Sequence, residues 1–295
     1  MVKVAIGFWG LPEWTRGDLP AILDMARTAE HAGIDMLCAG DHLALSPEGL
    51  ANYPYGKFRA SIDEPFYEPL TMLAAIAGAT SRMRLGTTIL LAPLRPALFL
   101  AKQAATLDVI SGGRLDLGVG VGWQKEEFDA AGAPWEGRFG YMDEQVRACR
   151  TLWSEAPASF HGKWVSFDRL HARPFPVQPG GVPIWFGLPP TDRNLRRVAE
   201  LGNGWLPMEP DAKVLAGHIA DLRARLAALG RDPLSVRIMA RPWPSDPDLD
   251  ASLSQIPDFA AAGADTVVLS PFRFCSERLA FAEVVERIAA ARALA

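Results

Sequence analysis

Cysteine is scarce in this chain: Cys38, Cys149 and Cys275 are its only three, far apart, with no CxxC pair and no zinc spacing. That excludes a disulfide framework and a thiolate metal centre, and it makes a reducing cytoplasm the expected setting. No apolar run reaches the roughly 18 residues of a membrane span. The opening VKVAIGFW reads as a strand rather than the core of a signal peptide. An excess of one charge is missing too. The 30 basic and 34 acidic residues leave a net charge of -4 without long runs, which argues against nucleic acid and anionic membrane as partners. Histidine is limited to five residues. With no HxH, no GxSxG and no cysteine–histidine pair at strand ends, metal-assisted hydrolysis and acyl transfer lack their parts, and no metal is expected.

What is present is alternation. Val2–Trp9, Met36–Asp41, Arg84–Ala92, 114–122, Pro183–Leu188, Gly204–Met208, Ser235–Arg241 and Thr266–Pro271 carry strand patterns. Helical patterns follow them, the first over Leu19–Ala32 with Asp18 as cap and Pro20 near its start. Eight strand–helix units in 295 residues predict an α/β fold, a single (β/α)8 TIM barrel over residues 1–295. A doubly wound sheet would carry a fingerprint glycine loop near its first strand, and none is there. Two insertions interrupt the alternation, after strands two and four. Residues 43–67 form a loop holding Tyr53, Tyr55, Phe58, Phe66 and Tyr67, and residues 160–182 read as a hairpin.

In such a barrel the chemistry gathers at the strands' C-terminal ends. Trp9, Asp41-His42, Thr87-Thr88-Ile89, Gly120–Trp123, Gly187-Leu188, Arg241, Trp243 and Pro271-Phe272-Arg273 fall there. Asp41-His42 is the one histidine beside a carboxylate at such an end. His42 can exchange a proton near neutral pH, with Asp41 fixing its tautomer. A two-carboxylate glycosidase would have only Asp41 with Glu126 or Glu127 to draw on, and no spacing supports it. Gly118, Gly120 and Gly122 strip one face of the fourth strand bare. Either a flat or anionic group approaches that backbone, or the strand packs tightly on a neighbour; the barrel position favours the approaching ligand.

Two stretches, Arg84-Leu85-Gly86-Thr87-Thr88-Ile89-Leu90-Leu91-Ala92-Pro93 and Gly113-Arg114-Leu115-Asp116-Leu117-Gly118-Val119-Gly120-Val121-Gly122-Trp123, resemble the luciferase-like monooxygenase superfamily. Within it they resemble the branch that uses the deazaflavin coenzyme F-420. The likeness continues through Pro183-Ile184-Trp185-Phe186-Gly187 and Ala199-Glu200-Leu201-Gly202-Asn203-Gly204-Trp205. It implies a hydride transfer between coenzyme F-420 and a small organic substrate. Alternatives within the superfamily are an FMN-dependent monooxygenase, whose reduced flavin comes from a separate reductase, and a barrel that binds flavin without catalysis. It also implies a homodimer and a non-proline cis peptide at Thr88–Ile89. By the same resemblance His42 faces the reacting carbon and Asp41 contacts the ring. Thr87, Thr88, Ile89, Gly120, Val121, Gly122, Trp123, Glu126, Gly187 and Leu188 hold the cofactor, with its phosphate on the helix start at Lys125–Glu127. Trp9, Phe66 and Trp243 meet the substrate.

The chain departs from that pattern twice. Relatives carry two consecutive glycines after strand five, where this chain has Gly187-Leu188-Pro189-Pro190. Sugar-phosphate dehydrogenases of the branch carry an acid where Trp123 stands, so a more apolar substrate is expected here.

Overall fold

The computed structural model describes residues 2–9, 11–12, 15, 18–54, 56, 58, 61–242 and 248–294. Its barrel strands are β1 (Lys3–Phe8), β2 (Met36–Ala39), β3 (Arg84–Thr87) with its continuation β4 (Leu90–Leu91), and β5 (Leu115–Gly120). After a hairpin of β6 (Ala158–His161) and β7 (Ser166–Leu170) come β8 (Ile184–Phe186), β9 (Gly204–Trp205), β10 (Arg237–Ala240) and β11 (Thr266–Leu269). The barrel strands run in the order β3-β2-β1-β11-β10-β9-β8-β5, all parallel, and β3 pairs with β5 to close the ring. This is the expected (β/α)8 architecture, with the two insertions where the alternation breaks.

Local chemistry sets the helices around it. The Asp18 carboxylate accepts from Ala21 N and opens α1 (Leu19–Ala32), and Gly33 closes it in the left-handed region at φ 91°. Among the described residues of 40–68 there is one short helix, α2 (Pro47–Ala51), before α3 (Pro69–Ala79). Next come α4 (Ala97–Ser111), α5 (Lys125–Ala131) and α6 (Arg138–Ser154). The hairpin docks on α6, where Glu144 accepts the N–H groups of Lys163, Trp164 and Val165 at 2.9, 2.6 and 3.0 Å. Beyond β8 lie α7 (Asp192–Leu201) and α8 (Ala212–Ala228). The helical pattern over 250–262 divides into α9 (Leu249–Leu253) and α10 (Ile256–Ala261), because Pro257 has no N–H for a continuous helix and sits instead in a first turn. The last helix is α11 (Arg278–Ala290).

Two layers of packing result. Helices bury their apolar faces against the outside of the sheet. Inside the barrel Ala5, Met36, Cys38, Trp185, Met239 and Val268 form a separate plug, against which Trp9 and Leu206 pack from the C-terminal end. At the opposite end Asp116 accepts from Arg84 at 2.6 Å and Arg237 at 2.9 Å. The plug and this ion cluster leave the C-terminal face as the place for a cavity. No described helix is long and apolar enough to cross a membrane.

Candidate active site

The floor of the site is a bulge. Leu85 and Gly86 pair with Leu115 and Asp116, whereas Leu90 and Leu91 pair with Val119 and Gly120. Four steps along the third strand therefore face three along the fourth, and the extra residue falls at Thr88–Ile89, whose peptide bond is cis. The displaced backbone needs room, and the glycines supply it. A Cβ on Gly118 would lie 2.0 Å from the Thr87 carbonyl oxygen; on Gly120, 1.9 Å from Ile89 Cδ1; on Gly187, 2.2 Å from Ile89 Cγ2. The Thr87 hydroxyl adds a bond to the Gly118 carbonyl at 2.6 Å.

The expectation that the glycine strand bares its backbone to a ligand is thus corrected at Gly118 and Gly120, where the missing side chains are replaced by the protein's own bulge, while Gly122 lines the cavity. A Cβ on Gly122 would likewise meet the Phe128 ring at 2.8 Å. Ile89, wedged between Gly120 and Gly187, is what a ligand in the site meets. Gly118→Ala is expected to cost about 2–3 kcal/mol of stability, since a backbone carbonyl cannot step aside. Gly120→Ala is expected to cost about 1 kcal/mol, because the Ile89 terminus can turn. Urea unfolding of both variants checks the order; equal costs would show that the bulge is not what fills the strand.

Asp41 and His42 turn away from each other. The Asp41 carboxylate accepts from Leu91 N at 2.8 Å and takes both ends of the Arg95 guanidinium at 2.6 and 3.1 Å. Its side chain is 0% exposed and that of Arg95 7%, and Arg95 also reaches Glu68 at 2.9 Å. Burial works against the Arg95 charge, but the bonds and charges of Asp41 and Glu68 overcome it and raise its pKa. Burial likewise opposes the Glu68 carboxylate, which Thr71 and Arg95 nevertheless hold below its ordinary range. Asp41 therefore locks β2 to the segment after β4. It does not orient His42, which corrects the sequence expectation.

That orienting role falls to Glu127. Its Oε2 lies 3.1 Å from His42 Nδ1, while Oε1 accepts from Leu43 N at 2.5 Å and Ala44 N at 3.4 Å. The carboxylate is 1% exposed. Already an acceptor on two sides, it places the ring proton on Nδ1 and leaves Nε2 as the nitrogen with a lone pair. Gln124, one helical turn earlier, receives Ser46 N at 2.9 Å and donates to the Ala44 carbonyl at 2.8 Å. Glu126, expected beside the cofactor, is instead exposed on α5. The first turn of α5, the helix start expected to hold a phosphate, carries two carboxylates, Glu126 and Glu127, whose charge opposes an anion there.

Above the floor opens a cavity of about 750 Å³, a size typical of cofactor and small-molecule sites. It brings together Trp9, Asp41, His42, Phe66, Thr88, Ile89, Val121, Gly122, Trp123, Gly187 and Leu188 from the sequence reading. Thr87 and Gly120 lie outside its lining, Thr87 buried beneath the floor and Gly120 covered by Ile89. Trp243 lies outside the described residues. His42 is edge-on to three rings, with centroids 6.0 Å from Phe58, 5.2 Å from Phe66 and 5.3 Å from Trp123, and Tyr53 stands 4.9 Å from Trp123. The insertion after strand two thus lays its aromatics over the histidine. Trp9 donates through Nε1 to the Thr88 hydroxyl at 2.6 Å and carries the Arg241 guanidinium 4.0 Å above its ring.

Charge in the lining is mainly positive. Arg138, Arg241 and Arg273 face Asp41, whose charge is taken by Arg95, and Glu64, whose pKa burial raises against a bond from Ser61. Burial lowers the Arg138 pKa, with the neighbouring Glu136 charge opposing. Gln124, Glu127, Arg95 and Arg138 were not selected from sequence for these roles, Glu127 being named there only as a glycosidase candidate and as part of the helix start. For the first two the signal is their three-residue spacing, which puts both on one face of a helix start. For Arg95 and Arg138 no local signal exists.

An eight-stranded parallel barrel with a bulged third strand and a cavity at its C-terminal face defines the class. Residues 6–248 match the luciferase-like monooxygenase family, and the chain belongs to that family of oxidoreductases. It is 32% identical over 234 residues to an uncharacterized protein of Mycobacterium tuberculosis, covering 78% of this chain and 82% of that one. It is 33% identical over 168 residues to the FMNH(2)-dependent dimethylsulfone monooxygenase of Pseudomonas putida, covering 56% of this chain and 46% of that one. Its fold matches that of an F-420-dependent secondary alcohol dehydrogenase holding an adduct of F-420 with acetone, with a TM-score of 0.77, 17% identity and 98% of each chain covered.

Proposed function

We propose that the chain is a coenzyme F-420-dependent oxidoreductase that moves a hydride between the coenzyme and a small, fairly apolar organic substrate. The residues fit a flat ring system. Ile89 and Val121 offer an apolar floor, and the arginines of the wall suit an anionic tail. Trp9, Thr88, Gly122 and Leu188 would border the ring. When bound, a deazaflavin supplies a carbon centre that gives or takes a hydride.

The observation that carries the reading is the buried Glu127–His42 pair opening on an aromatic enclosure. Interconverting an alcohol and a carbonyl requires a proton at oxygen to move as the hydride moves at carbon. His42 Nε2 can take or return that proton, with Nδ1 held by Glu127 throughout. Phe58, Phe66 and Trp123 exclude water and offer a substrate little besides apolar surface. No acid stands at position 123 to receive a sugar hydroxyl.

A second reading, an FMN-dependent monooxygenase served by a separate reductase, is favoured by the likeness to the Pseudomonas putida enzyme. Titrating the purified protein with F-420 and with FMN, followed by fluorescence quenching, separates the two. F-420 is expected to bind at least about tenfold tighter; tighter binding of FMN would establish the second reading instead.

A further inference from the structure

Wherever the anionic tail of a flavin-type cofactor lies, something must bind it, and the turn after β8 has little to give. Gly187 N donates to the Val119 carbonyl at 2.9 Å, within the sheet ladder. Pro189 and Pro190 have no N–H. Thr191 N is taken by the Pro189 carbonyl at 2.8 Å, and the Thr191 hydroxyl receives Asn194 N at 3.3 Å as the cap of α7. The turn's carbonyls are occupied as well. Trp205 Nε1 donates to Leu188 O at 3.0 Å and Asn194 Nδ2 to Pro189 O at 3.0 Å. Leu188 N is the one backbone donor from 187 to 191 without an acceptor among the described residues.

A cation lines the same cavity. The Arg138 guanidinium lies 3.6 Å from the Trp135 ring centroid and donates through Nη1 to the Trp135 carbonyl at 3.1 Å. Its Nε is buried and makes no hydrogen bond. Among the described residues no carboxylate comes within ion-pair distance of it. The neighbouring Phe139 ring has Arg138 at 5.5 Å and Arg197 at 5.2 Å. Arg197 belongs to α7, the helix that the turn leads into, and is already bound to Asp143 and Asn194. Arg138 and the β8–α7 turn thus line one cavity, and the Arg138 Nε is left without an acceptor.

We propose that Arg138 binds the phosphate ester of the cofactor, side-on through its Nε edge, replacing the backbone donors that the two prolines remove. The aromatic seat holds the guanidinium flat, so little freedom is lost when the anion arrives. A buried donor with no acceptor is costly to keep, and an arriving phosphate oxygen removes that cost. The inference rests on the flavin-type reading above, and it holds for either the phosphodiester of F-420 or the monoester of FMN.

The test compares each chromophore with its phosphate-free counterpart. Wild type, Arg138→Gln and Arg138→Lys are titrated with FMN and riboflavin, and with F-420 and its dephosphorylated deazariboflavin core, at low and high salt. In the wild type the phosphorylated form of the chromophore that binds should win by about 10–100-fold, with the margin shrinking in salt. Arg138→Gln should bring the ratio close to one while affinity for the phosphate-free form stays within about twofold. Arg138→Lys should recover part of the margin. A wild-type ratio near one, or an unchanged ratio in Arg138→Gln, overturns the proposal. Should the glutamine variant fail to fold, the wild-type ratio and its salt dependence, with Arg138→Lys beside them, still decide. A wild type that binds none of the four overturns the reading beneath as well, and it is told apart by the absence of any quenching.

Discussion

His42→Ala is expected to lower turnover by about 10²–10⁴-fold while leaving cofactor affinity within about twofold, the range associated with loss of a positioned proton-transfer group. The split follows from the geometry. His42 meets the cavity at its edge, enclosed by Phe58, Phe66 and Trp123, whereas the floor is Ile89 and Val121, which the substitution does not touch. Removing the imidazole leaves Glu127 still accepting Leu43 N and Ala44 N, so the loop root has no reason to unfold. Steady-state kinetics beside a binding titration measures both halves. Glu127→Gln gives the companion result: it keeps a group of the same size but no longer an acceptor on every side, so the Nδ1 proton loses its fixed place. Turnover should then fall less than for the alanine variant, by about tenfold. Unchanged turnover in His42→Ala removes the histidine from the chemistry.

Asp41→Ala is expected to destabilise the fold by about 3–5 kcal/mol, the cost of stripping one partner from a buried ion pair. Arg95 would keep only Glu68, whose side chain is 31% exposed, and Leu91 N would lose its acceptor. Adding Arg95→Met should restore much of that loss, since an apolar side chain needs no counter-charge. Denaturant unfolding of the single and double variants provides the measurement. A loss below about 1 kcal/mol, with turnover abolished in a folded protein, would return Asp41 to the chemistry.

The contrast between these neighbours explains what was legible in the sequence. The barrel could be read because each strand is a short apolar run and a helix such as α1 announces its start, as Asp18 does. Adjacency of Asp41 and His42 was legible; their partnership was not. Consecutive side chains at a strand end point to opposite sides, so one goes to Arg95 and the other to Glu127. Glu126 and Glu127 differ by one residue, which on a helix is a turn of about 100°, enough to expose one and bury the other. The glycines of β5 declared that side chains were absent. What occupies their place comes from about thirty residues earlier in the chain, at Thr87 and Ile89, and no local pattern specifies it.

The start of α5 has a use beyond orienting an imidazole. Gln124 and Glu127 grip the chain at Leu43, Ala44 and Ser46, where the long insertion leaves the barrel. Tyr53, Phe58 and Phe66 hang beyond that grip. The insertion is therefore built like an interchangeable head on a fixed shank. Its outer residues can be recomposed to admit a different guest while the His42 ring keeps its hold on Glu127.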